Sequence, residues 1–349
     1  MYEHSVGGTT ASRIAFSAVL AVLLAGCAMN ETATPPASPD PIAVASPPIA
    51  AGEAWVLYQA FWDEIDLALV RPDGSEFRRI SGGPGNRWHP DWSPDGEWIA
   101  YDHVHDEVTD VWMTGVDGSE DRALTSCTGA CRGMGGATWA PDGTKVGFDS
   151  AEGPTDTFPD GVCWIGTVEV DTGSVERIAE IPGCAGGGDD GLLAELLFMD
   201  FSPDGQMIAV EGRDANGRTS IFTMTAEGEE LTRITEWGLG ARPDWSPDGE
   251  WITFMSAEAS AETQDVISVH RARADGSGLE QLTHPEGTRI DVYPEYTPDR
   301  TGIMYSRCPE PEAAVCEARL LSADGSDDEL LFTPEGANPV HLVLRPGTE

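Results

Sequence analysis

Trp92-Ser93-Pro94-Asp95-Gly96, followed by Glu97-Trp98-Ile99-Ala100-Tyr101, is the stretch that decides the fold. It returns as Trp139-Ala140-Pro141-Asp142-Gly143, Phe201-Ser202-Pro203-Asp204-Gly205, Trp245-Ser246-Pro247-Asp248-Gly249 and Tyr296-Thr297-Pro298-Asp299-Arg300. Each copy sets an aromatic residue two places before a proline and an alternating apolar run after it. Ser, Pro and Gly at these offsets suit a type I turn, and the runs that follow are rich in strand formers. Recurrence of this kind marks repeated supersecondary units that share a core.

A second turn completes each unit. Asp73-Gly74, Asp117-Gly118, Asp171-Thr172-Gly173, Glu227-Gly228, Asp275-Gly276 and Asp324-Gly325 each separate two apolar stretches. A closing phrase follows: Ile80-Ser81, Leu124-Thr125, Ile178-Ala179, Ile234-Thr235, Leu282-Thr283 or Phe332-Thr333. Each unit therefore reads as four antiparallel strands, a to d, one blade of an all-β propeller. Six outer turns face only five inner phrases. The first unit starts at strand b, Trp55-Val56-Leu57-Tyr58, and the alternating Pro339-Val340-His341-Leu342-Val343-Leu344 has no blade after it. The count predicts six blades, the first built from both chain ends, which removes an open edge.

The phrase, the outer Asp-Gly turn and the terminal Leu-Thr together resemble the repeat of the TolB-type propeller family, over roughly residues 54 to 347. In that family the propeller binds the peptidoglycan-associated lipoprotein, and a separate N-terminal domain serves inner-membrane partners. The resemblance carries over the propeller only, because other features occupy the N-terminal region here.

Residues 1–26 read as a lipoprotein signal peptide. Residues 14 to 26 are apolar and small, and Leu24-Ala25-Gly26-Cys27 resembles a bacterial lipobox, which implies cleavage before Cys27 and lipidation of its thiol. Glu3 offsets Arg13, so the leader is less basic than usual. Residues 27–53 hold the lipidated Cys27 and a tether in which Pro35, Pro36, Pro39, Pro41, Pro47 and Pro48 sit among Ala, Ser and Thr. Residues 54–349 form the propeller. Ala28 after the cysteine, by resemblance to Gram-negative lipoproteins, favours the outer membrane. The expected location is the cell envelope, lipid-anchored on the outer-membrane or periplasmic side, or on the exterior of the cell membrane in an organism without an outer membrane.

Seven cysteines less Cys27 leave an even number in local pairs: Cys127 with Cys131, Cys163 with Cys184, Cys308 with Cys316. Three disulfides in an oxidising compartment are expected. The 349-residue chain is ample for one large core. Its 60 acidic residues against 20 basic ones give a net charge of −40, and Lys145 is the single lysine. Such a surface excludes nucleic acid as a partner.

Topology sorts the connections into two faces. The a–b and c–d turns share one, which is short and regular; it is called the turn face below. The b–c loops and d–a connectors share the other, the loop face. All six paired cysteines map there, as do the long segments Ala151 to Gly161 and Gly183 to Glu195. Loops on a rigid scaffold are where binding resides. Residues just before strand a should rim the channel mouth, which nominates Arg87, His89, Arg242, Arg289 and Asp291, with Arg132 farther upstream, as a site for an anionic or carboxylate-bearing ligand. The competing reading is that these arginines neutralise neighbouring carboxylates.

Other features carry weaker signals. His103 and His105, beside Asp106 and Glu107, would lie on one side of a strand as a metal corner, but a solvated loop suits them better. Asp189-Asp190 lacks the spacing of a calcium loop. The aromatics Trp92, Trp139, Phe201, Trp245 and Tyr296 recur at a fixed place, which points to blade packing rather than sugar stacking. Arg300 stands where the repeat has glycine. No cofactor and no metal are expected.

These features favour a monomeric, non-enzymatic lipoprotein scaffold that binds an envelope protein, a peptide or a cell-wall ligand. The alternative is a propeller enzyme of lyase or hydrolase type with a metal or polar site at the channel mouth. It would need His89, His103, His105, His284 or His341 to converge, and no Gly-x-Ser-x-Gly elbow is present.

Overall fold

The computed structural model describes residues 50 to 347 apart from 51, 63, 81–83, 107, 155–160, 183–192, 258–265, 288, 310–314 and 335–338. Residues 1–49, which hold the leader, Cys27 and most of the tether, lie outside the described residues, as do Cys184 and Asp189-Asp190. The chain forms six four-stranded antiparallel sheets. The innermost strands a are Asn86–Trp92, Cys131–Trp139, Leu193–Phe201, Ala241–Trp245 and Ile290–Tyr296 in blades 2 to 6, and Pro339–Leu344 in blade 1. Strands b are Val56–Phe61, Trp98–His105, Lys145–Glu152, Met207–Asp214, Ile252–Ala257 and Gly302–Cys308 for blades 1 to 6. The closure expected from the count is present: Pro339–Leu344 pairs antiparallel with Val56–Phe61, with Val56 opposite Leu344 and Ala60 opposite Pro339.

The repeated phrase forms the turn that its residues dictate. In Ser93–Gly96 the Gly96 N–H donates to Ser93 O at 2.8 Å. The Ser93 hydroxyl donates to Asp95 Oδ1 at 2.6 Å and accepts from Trp98 N at 2.9 Å, while Asp95 accepts from Glu97 N at 3.0 Å. Ser202/Asp204 and Ser246/Asp248 repeat the pattern. These aspartates are turn caps. The closing phrase has a parallel duty: Thr125, Thr235 and Thr283 each accept a strand-c N–H at 2.9 Å.

Blades pack face to face through the aromatic of the phrase. Trp139 of blade 3 sits in one cluster with Ala100, Val111 and Met113 of blade 2, and Trp245 of blade 5 with Ala209 and Ile221 of blade 4. Trp92, Trp139 and Trp245 are buried; Phe201 and Tyr296 are half-buried. Burying such side chains contributes roughly 2–3 kcal/mol each, so the phrase supplies both the turn and the inter-blade contact. Outer turns seal the rim: a Cβ on Gly118, Gly228 or Gly276 would stand 2.3, 2.2 or 2.7 Å from the carbonyl oxygen of Ile80, Ile178 or Ile234 in the preceding blade.

Candidate functional site

One backbone feature recurs around the channel. Every strand a carries a residue with positive φ: His341 (55°), His89 (48°), Gly136 (69°), Phe198 (45°), Arg242 (56°) and Tyr293 (53°), in blades 1 to 6. Each coincides with a register break against strand b. A bulge adds a residue to one strand and re-aims its side chain. Here it turns the side chains of five blades toward one another, blade 3 having glycine at this place. A left-handed conformation at a non-glycine residue is uncommon and persists only when its surroundings enforce it.

The surroundings are polar latches from the preceding blade. The bulge N–H of His89 donates to Gln59 Oε1 (3.2 Å), that of Gly136 to Asp102 Oδ2 (2.8 Å), that of Phe198 to Asp149 Oδ1 (3.1 Å) and that of Arg242 to Glu211 Oε2 (3.3 Å). Asp102 also accepts from Ala137 N at 3.1 Å and from His89 Nδ1 at 2.6 Å. At the equivalent place in blade 5 stands Met255, opposite Ala241, which cannot accept.

The five bulge side chains close on one another across the channel. Phe198 lies 5.2 Å from His89, edge to face. The Arg242 guanidinium stands 3.2 Å from the Phe198 ring centre and 5.0 Å from that of Tyr293. Tyr293 stacks on His341 at 5.4 Å, and His341 lies 5.9 Å from His89. Gly136 leaves the gap that Phe198 spans.

Two residues further along each strand lies a second layer: Asp91, Thr138, Asp200, Asp244 and Glu295, with Val343 in blade 1. Three of its acids latch the next blade: Asp91 accepts from Trp139 N, Asp200 from Trp245 N and Asp244 from Tyr296 N, each at 2.7 Å. Glu295 meets His341 Nε2 at 3.0 Å. The two layers enclose a cavity of about 70 Å³. That is room for roughly two waters.

Burial sets the charge states. It pushes the Asp91 carboxyl up to about 6, Asp149 to about 7 and Glu295 to about 8. Asp200 and Asp244 are held well above the usual range, first by burial and then by the carboxylate beside each. Burial and the Arg242 cation depress His89 to about 4 and His341 to about 3. At neutral pH both imidazoles are neutral, and the contact of His89 with Asp102 is a hydrogen bond rather than an ion pair.

Of the five residues nominated for the mouth, His89 and Arg242 line the cavity and the others do not. Arg87 is 2% exposed and pairs with Asp66 at 3.6 Å. Asp291 is fully buried and takes a bidentate pair from Arg307, at 2.7 and 2.8 Å. Both lie two residues before a bulge, where the strand is still regular and side chains point into the blades. Arg289, two residues earlier still, is exposed on the rim, as is Arg132 on its own strand. Phe198 and Tyr293 are not singled out by the sequence, and His341 is named only among the histidines of the enzyme alternative. Their one signal is position: like His89 and Arg242, each stands three residues before the last residue of its strand a.

The remaining histidines do not converge. His103 Nε2 bonds Pro84 O at 3.1 Å and its ring meets Trp112 edge to face, 4.6 Å away. His105 lies 5.1 Å from His103, on the side that strand alternation gives. His284 is exposed. Among the described residues no group of three His, Cys, Asp or Glu side chains is placed to hold a metal ion. Cys127 is bonded to Cys131 in the connector before blade 3, and Cys308 to Cys316 in the b–c loop of blade 6. Cys163 is also disulfide-bonded.

No family model matches the chain. Over 197 residues it is 28% identical to an uncharacterized protein of Agrobacterium fabrum, Atu1656, covering 54% of this chain and 61% of that one. Over 133 residues it is 29% identical to a protein TolB homolog of Chlorobium luteolum, covering 36% of this chain and 28% of that one. Neither match reaches two thirds of the relative's own length. Among solved structures, TolB from Acinetobacter baumannii superposes with a TM-score of 0.63 at 18% identity, over 84% of this chain and 66% of that one. In fold the chain is a TolB-like β-propeller.

Proposed function

We propose that the protein is an envelope-anchored lipoprotein whose propeller is a non-enzymatic binding scaffold. Cys27 carries the lipid and residues 27–53 form the tether. The loop face, including exposed Arg289 and Arg132, meets an envelope protein, a peptide or a cell-wall ligand. One observation carries this reading: the channel is filled by its own side chains. A cavity of about 70 Å³ is well below the ~300 Å³ at which small-molecule sites begin. Its backbone donors and carboxylates latch blade to blade. Recognition is assigned to the loop face, where disulfides pin the connections.

The test has two arms. A fatty-acid analogue should label the wild-type chain and not the Cys27→Ser variant. The purified chain should capture an envelope component, and capture should fail when Arg132 and Arg289 are both changed to Glu, yet survive Asp171→Lys on the turn face. Loss of capture with the turn-face variant alone would reject the assignment of the face.

A further inference from the structure

The two chain ends cross at one place. In blades 2 to 6 a turn joins strand a to strand b. In blade 1 that turn is absent: strand a ends at Leu344 and strand b begins at Val56, both on the turn face. The segment that leads into Val56 is held there by three arginines. Arg345 is 3% exposed; its guanidinium donates to Ala50 O at 2.9 Å, Gly96 O at 2.9 Å and Glu97 Oε1 at 3.2 Å. Its backbone N–H donates to Trp55 O at 2.8 Å. Arg71 bonds Ala54 O at 3.3 Å and Glu53 at 3.1 Å. The Arg71 and Arg78 guanidiniums lie 4.2 and 4.6 Å from the Trp55 ring centre, and Trp55 is fully buried. A Cβ on Gly96 would stand 3.0 Å from Arg345 Nε, so the turn packs directly against the clamp. In a chain with 60 acidic and only 20 basic residues, three arginines at one chain entry form a built feature.

We propose that the anchored propeller turns its turn face toward the bilayer and presents its loop face away from it. This rests on the lipid anchor of the proposed function. The tether joins the propeller at Ala50, on the turn face, rather than at the rim or the loop face. Its 22 or so residues reach roughly 70 Å in a proline-rich extended form. To bring the loop face down, the tether must run back along the blade, whose height is roughly 25 Å for a strand of eight residues, and cross the radius of the propeller as well. Most of its reach and its freedom would be lost. The turn face is also ringed with exposed acids, among them Asp95, Asp142, Asp171, Asp204 and Asp299. They repel an anionic leaflet within a Debye length of about 8 Å, which holds that face off the surface without inverting it.

The single lysine makes the orientation measurable. Lys145 opens strand b of blade 3, directly after the Pro141-Asp142-Gly143 turn, on the turn face. An amine-reactive donor on the full lipidated chain, reconstituted in phosphatidylcholine vesicles that contain acceptor-labelled lipid, reports its height above the membrane. The companion variant, Lys145→Arg with Arg289→Lys, moves the donor to the loop face; any label on the α-amino group of Cys27 is common to both. The donor at Lys145 should lie roughly 25 Å closer to the acceptors and transfer energy more efficiently. Vesicle-bound protein with equal or reversed efficiencies overturns the orientation alone. A chain that does not associate with vesicles overturns the anchor, and the orientation with it.

Discussion

The turn face and the channel wall are built on the same innermost strands, and they use repetition in opposite ways. On the turn face both backbone and side chains repeat. Ser93, Ser202 and Ser246 each cap their own turn through an aspartate two residues on. In the channel only the backbone repeats. The left-handed bulge is present in every blade, while the side chain it re-aims is His, His, Gly, Phe, Arg or Tyr. The difference teaches that a repeat can hold geometry constant while leaving one position per unit free to differ. In blades 2 to 5 the bulge amide is held by an acceptor in the preceding blade and not by the residue that adopts the bend.

The comparison breaks most sharply at Asp102. It is 3% exposed and accepts from Gly136 N, Ala137 N and His89 Nδ1. Asp102→Ala leaves two buried N–H groups without a partner and should lower unfolding stability by about 4 kcal/mol, since each such group costs ~1–3 kcal/mol. Chemical denaturation measures it. An effect under about 1 kcal/mol would mean that the bulge holds itself. Arg345→Ala tests the turn face where the chain ends cross. Loss of a buried guanidinium with three acceptors should cost about 3 kcal/mol. Proteolysis near Ala50 should rise with it.

The channel should also respond to pH where the turn face does not. Buried carboxyls whose folded values are raised contribute stability at low pH, and this is lost as pH rises through those values. Asp91, Asp149 and Glu295 place the loss across about 6, 7 and 8. The depressed imidazoles act in the opposite sense: His89 and His341, near 4 and 3, lose stability as pH falls below their unfolded range. Between pH 4 and about 6.5 the two sets oppose each other. Above that range the carboxyls act alone, so Tm should fall between pH 6.5 and 8.5, and Glu295→Gln should flatten the decline. A Tm that rises over this range would contradict the charge states given above.

The smallest effect is expected at Arg300, where the turn face departs from its own repeat. Its φ is 64°, and its guanidinium bonds Pro247 O at 3.1 Å. Arg300→Gly relieves a left-handed conformation that costs about 1–2 kcal/mol and gives up that exposed bond. A net gain of about 0.5–1 kcal/mol is expected, read as a rise in Tm.

The same contrast explains what was legible in the sequence. The blades, their number and the closure by both chain ends could be read, because each follows from residues with strong local preferences: Pro94 and Gly96 in a turn, Trp92 in a core. The ring of bulges could not. His89, Phe198 and Arg242 have no preference for positive φ, and the groups that hold them there lie 30 to 49 residues away in the preceding blade. Arg87 and Asp291 were misplaced for the same reason. They stand two residues before a bulge, and strand alternation alone cannot say where the regular strand stops.

We propose that this propeller recognises its partner with the loop face and uses its channel for architecture. Amide hydrogen exchange of the purified chain, with and without a captured envelope component, tests it most directly. The account predicts new protection in the loop-face connectors, around Cys127–Cys131 and Arg289, with the bulge amides of Gly136 and Phe198 already protected in the free protein. Bulge amides that exchange freely and become protected only on binding would contradict it, because the channel would then be the site.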